Sequence, residues 1–125
     1  MNNTLFKPMI YLKAGCPFCF KVRLFLSEAG LLDKVVLREF TPGTDEEQEI
    51  RDELAPHFEK VSIPAAQIAR GRYISDSDVT IGELAENFGV DPERLPTLKA
   101  YKSGLFKRYV ELFRENKELK QQALR

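Results

Sequence analysis

Met9-Ile10-Tyr11-Leu12-Lys13-Ala14-Gly15-Cys16-Pro17-Phe18-Cys19 runs a short apolar stretch directly into a pair of cysteines at the start of a helical pattern. A thiol at the first turn of a helix meets unpaired backbone N–H groups and the positive end of the macrodipole, both of which favour thiolate over thiol. The second cysteine, three positions on, is placed to attack any disulfide that the first one forms, so the pair can cycle between dithiol and disulfide. The stretch therefore points to redox chemistry.

Working outward, residues 8–12 read as a buried strand and 17–29 as a helix with Val22, Phe25, Leu26 and Ala29 inward, closed by Gly30. Pro17 suits the first helical position, where its missing N–H would have had no partner. Residues 35–40 form a second, β-branched strand, followed by a helix that Thr44 caps with Glu47 in a capping box and Ile50, Leu54 and Phe58 as its apolar stripe. Strand, helix, strand is a βαβ unit with parallel strands. Residues 65–69 and 73–75 flank Arg70-Gly71-Arg72 and read as an antiparallel hairpin, and a helix over 77–88 turns Val79, Ile81, Leu84, Ala85 and Phe88 inward before Gly89. Beyond Asp91-Pro92, Leu98, Tyr101, Leu105, Tyr109, Leu112 and Phe113 recur at helical spacing, with a break expected at Gly104. The α/β formula is βαβ followed by ββα, with a C-terminal helical extension. Residues 1–90 are the expected domain and 91–125 the extension.

At 125 residues the chain is long enough to bury a core without a staple, so the cysteines are free for chemistry. Lys and Arg number 19 against 19 Asp and Glu, a balance that gives no overall field for nucleic acid or anionic lipid. Charge is local: residues 44–59 are acidic, and the segment from Lys99 onward is basic. Both runs read as solvated helix faces, with a docking surface for an anionic partner as the alternative. Met1-Asn2-Asn3-Thr4 lacks a cationic start and no long apolar run follows, so neither a secretory signal nor a membrane span is expected. The expected compartment is a reducing cytoplasm, where a C-x-x-C pair means catalysis or metal more often than a structural bridge.

A closed zinc site needs four ligands, and this chain offers two cysteines and one histidine, His57. Covalent haem attachment needs histidine directly after the second cysteine, where Phe20 stands. A structural disulfide and a redox-active pair remain, and the small loop favours the second, because closing it constrains the unfolded chain little. His57, near the end of an acidic helix, carries no catalytic assignment.

The Lys13-Ala14-Gly15-Cys16-Pro17-Phe18-Cys19 turn, together with an Ile63-Pro64 step before a strand, resembles the glutaredoxins and the glutathione-binding N-terminal domain of glutathione transferases. Both are thioredoxin-like folds with a four-stranded mixed sheet. Gly71-Arg72-Tyr73-Ile74-Ser75-Asp76-Ser77-Asp78-Val79-Thr80-Ile81 is similar to the transferase pattern at the same place, and Ser77-Asp78 also fits the serine-aspartate step of glutaredoxins.

This resemblance implies a glutathione-dependent thiol-disulfide oxidoreductase. Cys16 would be its attacking thiol and Cys19 its optional partner, with glutathione as co-substrate and no permanently bound cofactor or metal. It implies a cis Pro64 that presents the Ile63 backbone to glutathione, and Phe18 beside the ligand. Lys13 would meet the glycine carboxylate. Ser77 would meet the γ-glutamyl carboxylate, and Asp76 or Asp78 the γ-glutamyl amino group, although Asp76 or Ser77 could equally serve as a helix cap. Its partners would be glutathione and glutathionylated or disulfide-containing substrates, with no nucleic acid and no membrane, acting as monomer or homodimer.

Two alternatives follow from the same resemblance. One is a transferase-like protein without the full helical domain. The other is an iron-sulfur carrier ligated by glutathione, which Pro17 disfavours because family members that bind clusters more commonly have Gly or Ser there. A third reading, from the residues alone, is an interaction module with incidental cysteines.

Overall fold

In the computed structural model, which describes residues 6–123, Met9–Lys13 forms the strand β1 at the heart of a four-stranded sheet. The reading of Met1 to Thr4 lies outside the described residues. Side chains alternate across a strand, and in β1 Ile10 and Leu12 join one apolar cluster while Tyr11 joins another. A central strand buried on both faces needs cover on both. The helices α1 (Pro17–Glu28), α3 (Ser77–Phe88) and α4 (Pro96–Ser103) supply Val22, Phe25, Leu26, Ile81, Leu84 and Leu98 to the first cluster. The helix α2 (Asp45–Leu54) supplies Ile50 and Leu54 to the second, beside Phe40 and Ala65.

The strand order is β2-β1-β3-β4, with β2 at Val36–Phe40, β3 at Ala65–Ala69 and β4 at Arg72–Ser75. β1 and β2 are parallel, β3 is antiparallel to β1, and β4 is antiparallel to β3. This is the expected βαβ-ββα mixed sheet of a thioredoxin-like fold with a helical extension. The Arg70-Gly71 turn of the hairpin uses Gly71 at φ +72°, a region that favours glycine. At the end of α1, Gly30 at φ +73° lets the Leu31 N–H reach the Leu26 carbonyl (2.8 Å) and the Gly30 N–H reach that of Ser27 (3.2 Å). That pairing satisfies the last carbonyls of the helix and folds Leu31 into the core.

Several expectations shift in detail. Thr44 Oγ1 accepts the Glu47 N–H as a capping box requires, but Glu47 Oε1 reaches one residue further back, to the Gly43 N–H (2.8 Å). α2 stops at Leu54, so Phe58 packs on the second cluster from an extended segment and not from the helix. Val79 is not inward: it is 47% exposed, and Thr80 takes the buried place beside Ile81. Residues 79 and 81 lie about 200° apart on a helix, so they cannot share one face. His57 is exposed and stacks on Tyr73 at 3.8 Å.

The extension contains α4 and α5 (Leu105–Ala123), and the helical path breaks at Gly104. α4 is fastened to α1 by Glu28, whose carboxylate accepts the N–H groups of Thr97 (2.9 Å) and Leu98 (2.8 Å). Those donors open the first turn of α4 and would otherwise have no partner. Of α5, only its beginning leans on the body, and every residue from Leu112 to Ala123 is exposed. Among the described residues no helix is long and apolar enough to cross a membrane.

Candidate active site

Leaving β1, the chain turns at Gly15 (φ +78°) and enters α1 through Cys16, an extended N-cap residue, with Pro17 as the first helical residue. The Cys16 carbonyl accepts the Phe20 N–H at 2.8 Å and starts the helical ladder. Cys16 is half-buried. Cys19, one turn on, is 2% exposed, and its Sγ accepts the Lys13 N–H at 3.2 Å.

This geometry separates the two thiols. The Cys19 thiol, donating toward the Cys16 sulfur, is the largest influence on Cys16 and lowers its pKa to about 5. Burial opposes the shift, while the backbone N–H groups of Cys19 and Phe18 and the charge of Lys13 reinforce it. Cys19 moves the opposite way, above the usual thiol range, first because it is the donor in that pair and then because it is buried. At neutral pH the outer sulfur is thus a thiolate and the inner one a thiol, as a nucleophile and its resolving partner require.

The sheet brings the other expected residues to the same end. Tyr11 pairs with Ala65, so Pro64 and Ile63 run beside the end of β1 from which the cysteine turn departs. The Ile63-Pro64 bond is cis. Ala65 pairs with Ser75, which delivers Asp76 to that end too, and the Asp76 N–H meets the Pro64 carbonyl at 3.2 Å.

Asp76 has φ +83°, the one described non-glycine residue with positive φ, and its Oδ1 accepts the N–H groups of Asp78 (2.8 Å) and Val79 (3.1 Å). It is therefore the cap of α3. Backbone held in this region is costly for an L-residue and gathers at ligand clamps. Ser77 is buried behind it at 5% exposure. Asp78 engages Lys21 Nζ at 2.8 Å, a contact that the sequence did not suggest.

Three further residues join the site without a sequence signal that singled them out. Tyr101, on α4, donates its hydroxyl to the Pro17 carbonyl at 2.7 Å and packs edge-on to Phe20. Burial, and then the Cys16 thiolate nearby, hold its phenol above the usual range. A cleft of about 360 Å³ opens between these groups, lined by Lys13, Cys16, Cys19, Phe20, Arg23 and Tyr101 among others. Arg23 is paired there with Glu39 of β2. Ile63, Pro64, Asp76 and Ser77 do not line this cleft. Lys21 is the third: its side chain is 3% exposed, and its ammonium lies 4.3 Å from the Phe106 ring centre. Phe18 packs edge-on against Phe106 (5.1 Å) and Tyr109 (6.5 Å), so α5 leans on the cysteine turn itself. Only the amphipathic spacing of Tyr101 hinted at these contacts, and it reads equally as core.

Comparison with known protein families matches residues 15–87 to the model described as glutathione S-transferase, N-terminal domain. No curated protein and no solved structure matched the chain.

Proposed function

The chain belongs to the glutathione S-transferase N-terminal-domain family, a thioredoxin-fold family, and from that premise we propose that it is a glutaredoxin-type oxidoreductase that reduces glutathione mixed disulfides. The observation that carries this reading is the asymmetry of the cysteine turn: Cys16 stands half-buried at the N-cap of α1 and Cys19 lies one turn on at 2% exposure, an arrangement that favours thiolate at the outer sulfur and thiol at the inner one. A conventional transferase activates glutathione with a hydroxyl. Here a nucleophilic sulfur occupies the active turn.

Cys16 Sγ attacks the glutathione sulfur of the mixed disulfide. The old S–S bond breaks, a new one joins Cys16 to glutathione, and the substrate leaves as a thiolate that takes a proton from water. The thiolate of a second glutathione then attacks the glutathione sulfur, giving glutathione disulfide and regenerating the Cys16 thiolate. In the two-thiol route Cys19 loses its proton and attacks Cys16 Sγ instead, which releases glutathione and leaves an internal disulfide. Lys13 would hold the glycine carboxylate, the Ile63 backbone the cysteinyl portion, and the N-terminus of α3 at Ser77 the γ-glutamyl carboxylate. Asp76 is committed to capping through one oxygen, and Asp78 is 73% exposed even while bonded to Lys21, which leaves its outer face for the γ-glutamyl ammonium.

The test is reduction of a small glutathione mixed disulfide coupled to glutathione turnover. Cys16→Ser is expected to abolish it and Cys19→Ser to keep much of it. Equal loss in both variants would refute the one-thiol step. Conjugation of a chloro-nitro aromatic that survives Cys16→Ser would replace this reading with transferase chemistry.

A further inference from the structure

α5 carries an apolar stripe that, from Leu112 onward, no other described element covers. Leu105, Leu112 and Leu119 recur every seven residues and are 76%, 51% and 62% exposed. Tyr109, Asn116 and Ala123 recur at the same interval between them, giving the alternating four-three spacing of a heptad seam over the 19-residue helix. The docked side is a different one. Phe106, Val110 and Glu111 are its half-buried residues, about 100° or more around the helix from the leucine row, and Tyr109, 37% exposed, borders it through its edge-on contact with Phe18. From Leu112 onward the helix stands clear of the body, and a free segment of that length is marginal in water without a partner.

We propose that α5 pairs in parallel with α5 of a second copy of this chain, as a two-stranded coiled coil. The leucines occupy the d positions and Asn116 and Ala123 the a positions, with Tyr109 at the a position where the seam meets the body. Two features select this occupant. A single buried Asn at an a position fixes register and favours two strands, because each amide finds its counterpart across a parallel seam. In an antiparallel pair a faces d, which would set Asn116 against leucine. Charge agrees: Glu115 falls at g and Lys120 at the following e, the positions that meet between parallel helices, so each pair of chains makes this contact twice. Phe113, 56% exposed, lies at e and widens the apolar strip.

Sedimentation of the full chain at high micromolar concentration is expected to show a dimer. Leu112→Glu, which lies outside both core clusters, is expected to weaken association on the order of 100-fold or more while leaving the thermal melt of the body intact. Glu115→Lys alone weakens the dimer, and adding Lys120→Glu restores it. In a Cys16→Ser/Cys19→Ser background, Asn116→Cys should cross-link between chains on mild oxidation, because equivalent a positions face each other within disulfide reach. A wild type that stays monomeric refutes the proposal, as does a dimer indifferent to Leu112→Glu. A dimer that Asn116→Cys cannot cross-link refutes the parallel register, and a monomer that partitions onto anionic vesicles makes the stripe a membrane-surface face instead.

Discussion

Replacing Cys19 by alanine removes the donor that contributes most to the low pKa of Cys16, about 5 in the intact turn. A hydrogen bond to a charged acceptor contributes about 1.5–3 kcal/mol. At about 1.36 kcal/mol per pH unit, its loss raises the midpoint by about one to two units, and partial exposure of the sulfur favours the lower end. A rise of about one unit hardly matters at pH 7, where the thiolate fraction falls from about 99% to about 91%. At pH 5 it falls from about one-half to about one-eleventh. The informative assay is therefore the rate of iodoacetamide alkylation at Cys16 across the acid range, on fully reduced protein, with the modified site identified by mass. Cys19→Ser, which keeps a donor, should lie between wild type and Cys19→Ala. The same midpoint in wild type and Cys19→Ala would refute the reasoning, and so would a wild-type midpoint at the ordinary thiol value of about 8.5. The sign for stability follows: a depressed pKa means that ionisation of Cys16 stabilises the reduced fold fully above the ordinary thiol range. That contribution is lost as pH falls through about 5.

Asp76→Ala removes the α3 cap and puts a Cβ-bearing residue without a local acceptor at φ +83°; we predict a loss of about 1–3 kcal/mol in chemical denaturation, and a smaller loss for Asp76→Gly. Equal losses would mean that the positive φ is not what matters. Lys21→Met is predicted to be milder than Asp78→Ala, at under about 1 kcal/mol against about 1–3, because the second leaves a buried ammonium without its carboxylate while the first removes the charge; the reverse order would contradict the pairing. Glu28→Ala should speed amide exchange at Thr97 and Leu98 while leaving Ile10 and Val22 protected. Burial pushes the Glu28 pKa up, but those two N–H groups hold it below the usual carboxylate range. In the wild type the fastening is therefore complete above that range and lost as pH falls through the lowered value.

The sheet was legible because local signals agreed with one another: an apolar run, Pro17 at a helix start, Thr44 with Glu47, and Gly71 between two strands. Val79 misled because apolar type was read without phase, and Thr80, a polar residue, took the inward position. The cysteines and Pro64 were readable since their chemistry is local or carried by a motif. Lys21 was not. A lysine on a helix defaults to solvent, and its partners Asp78 and Phe106 come from α3 and α5, elements whose relative placement no local pattern encodes. Tyr101 was hidden for a similar reason, since its hydrogen bond to Pro17 spans 84 positions. Asp78 read as a ligand contact alone and proves also to be structural.

The Lys21 ammonium has an evolutionary corollary. It is held by a carboxylate from α3 and an aromatic face from α5, so three separated stretches of sequence share one buried charge. Substitutions at positions 21, 78 and 106 should then be non-additive, each depending on which residues occupy the other two. Among descendants of such a chain, a neutral residue at 21 would release 78 and 106 to vary, whereas a retained lysine would keep both constrained.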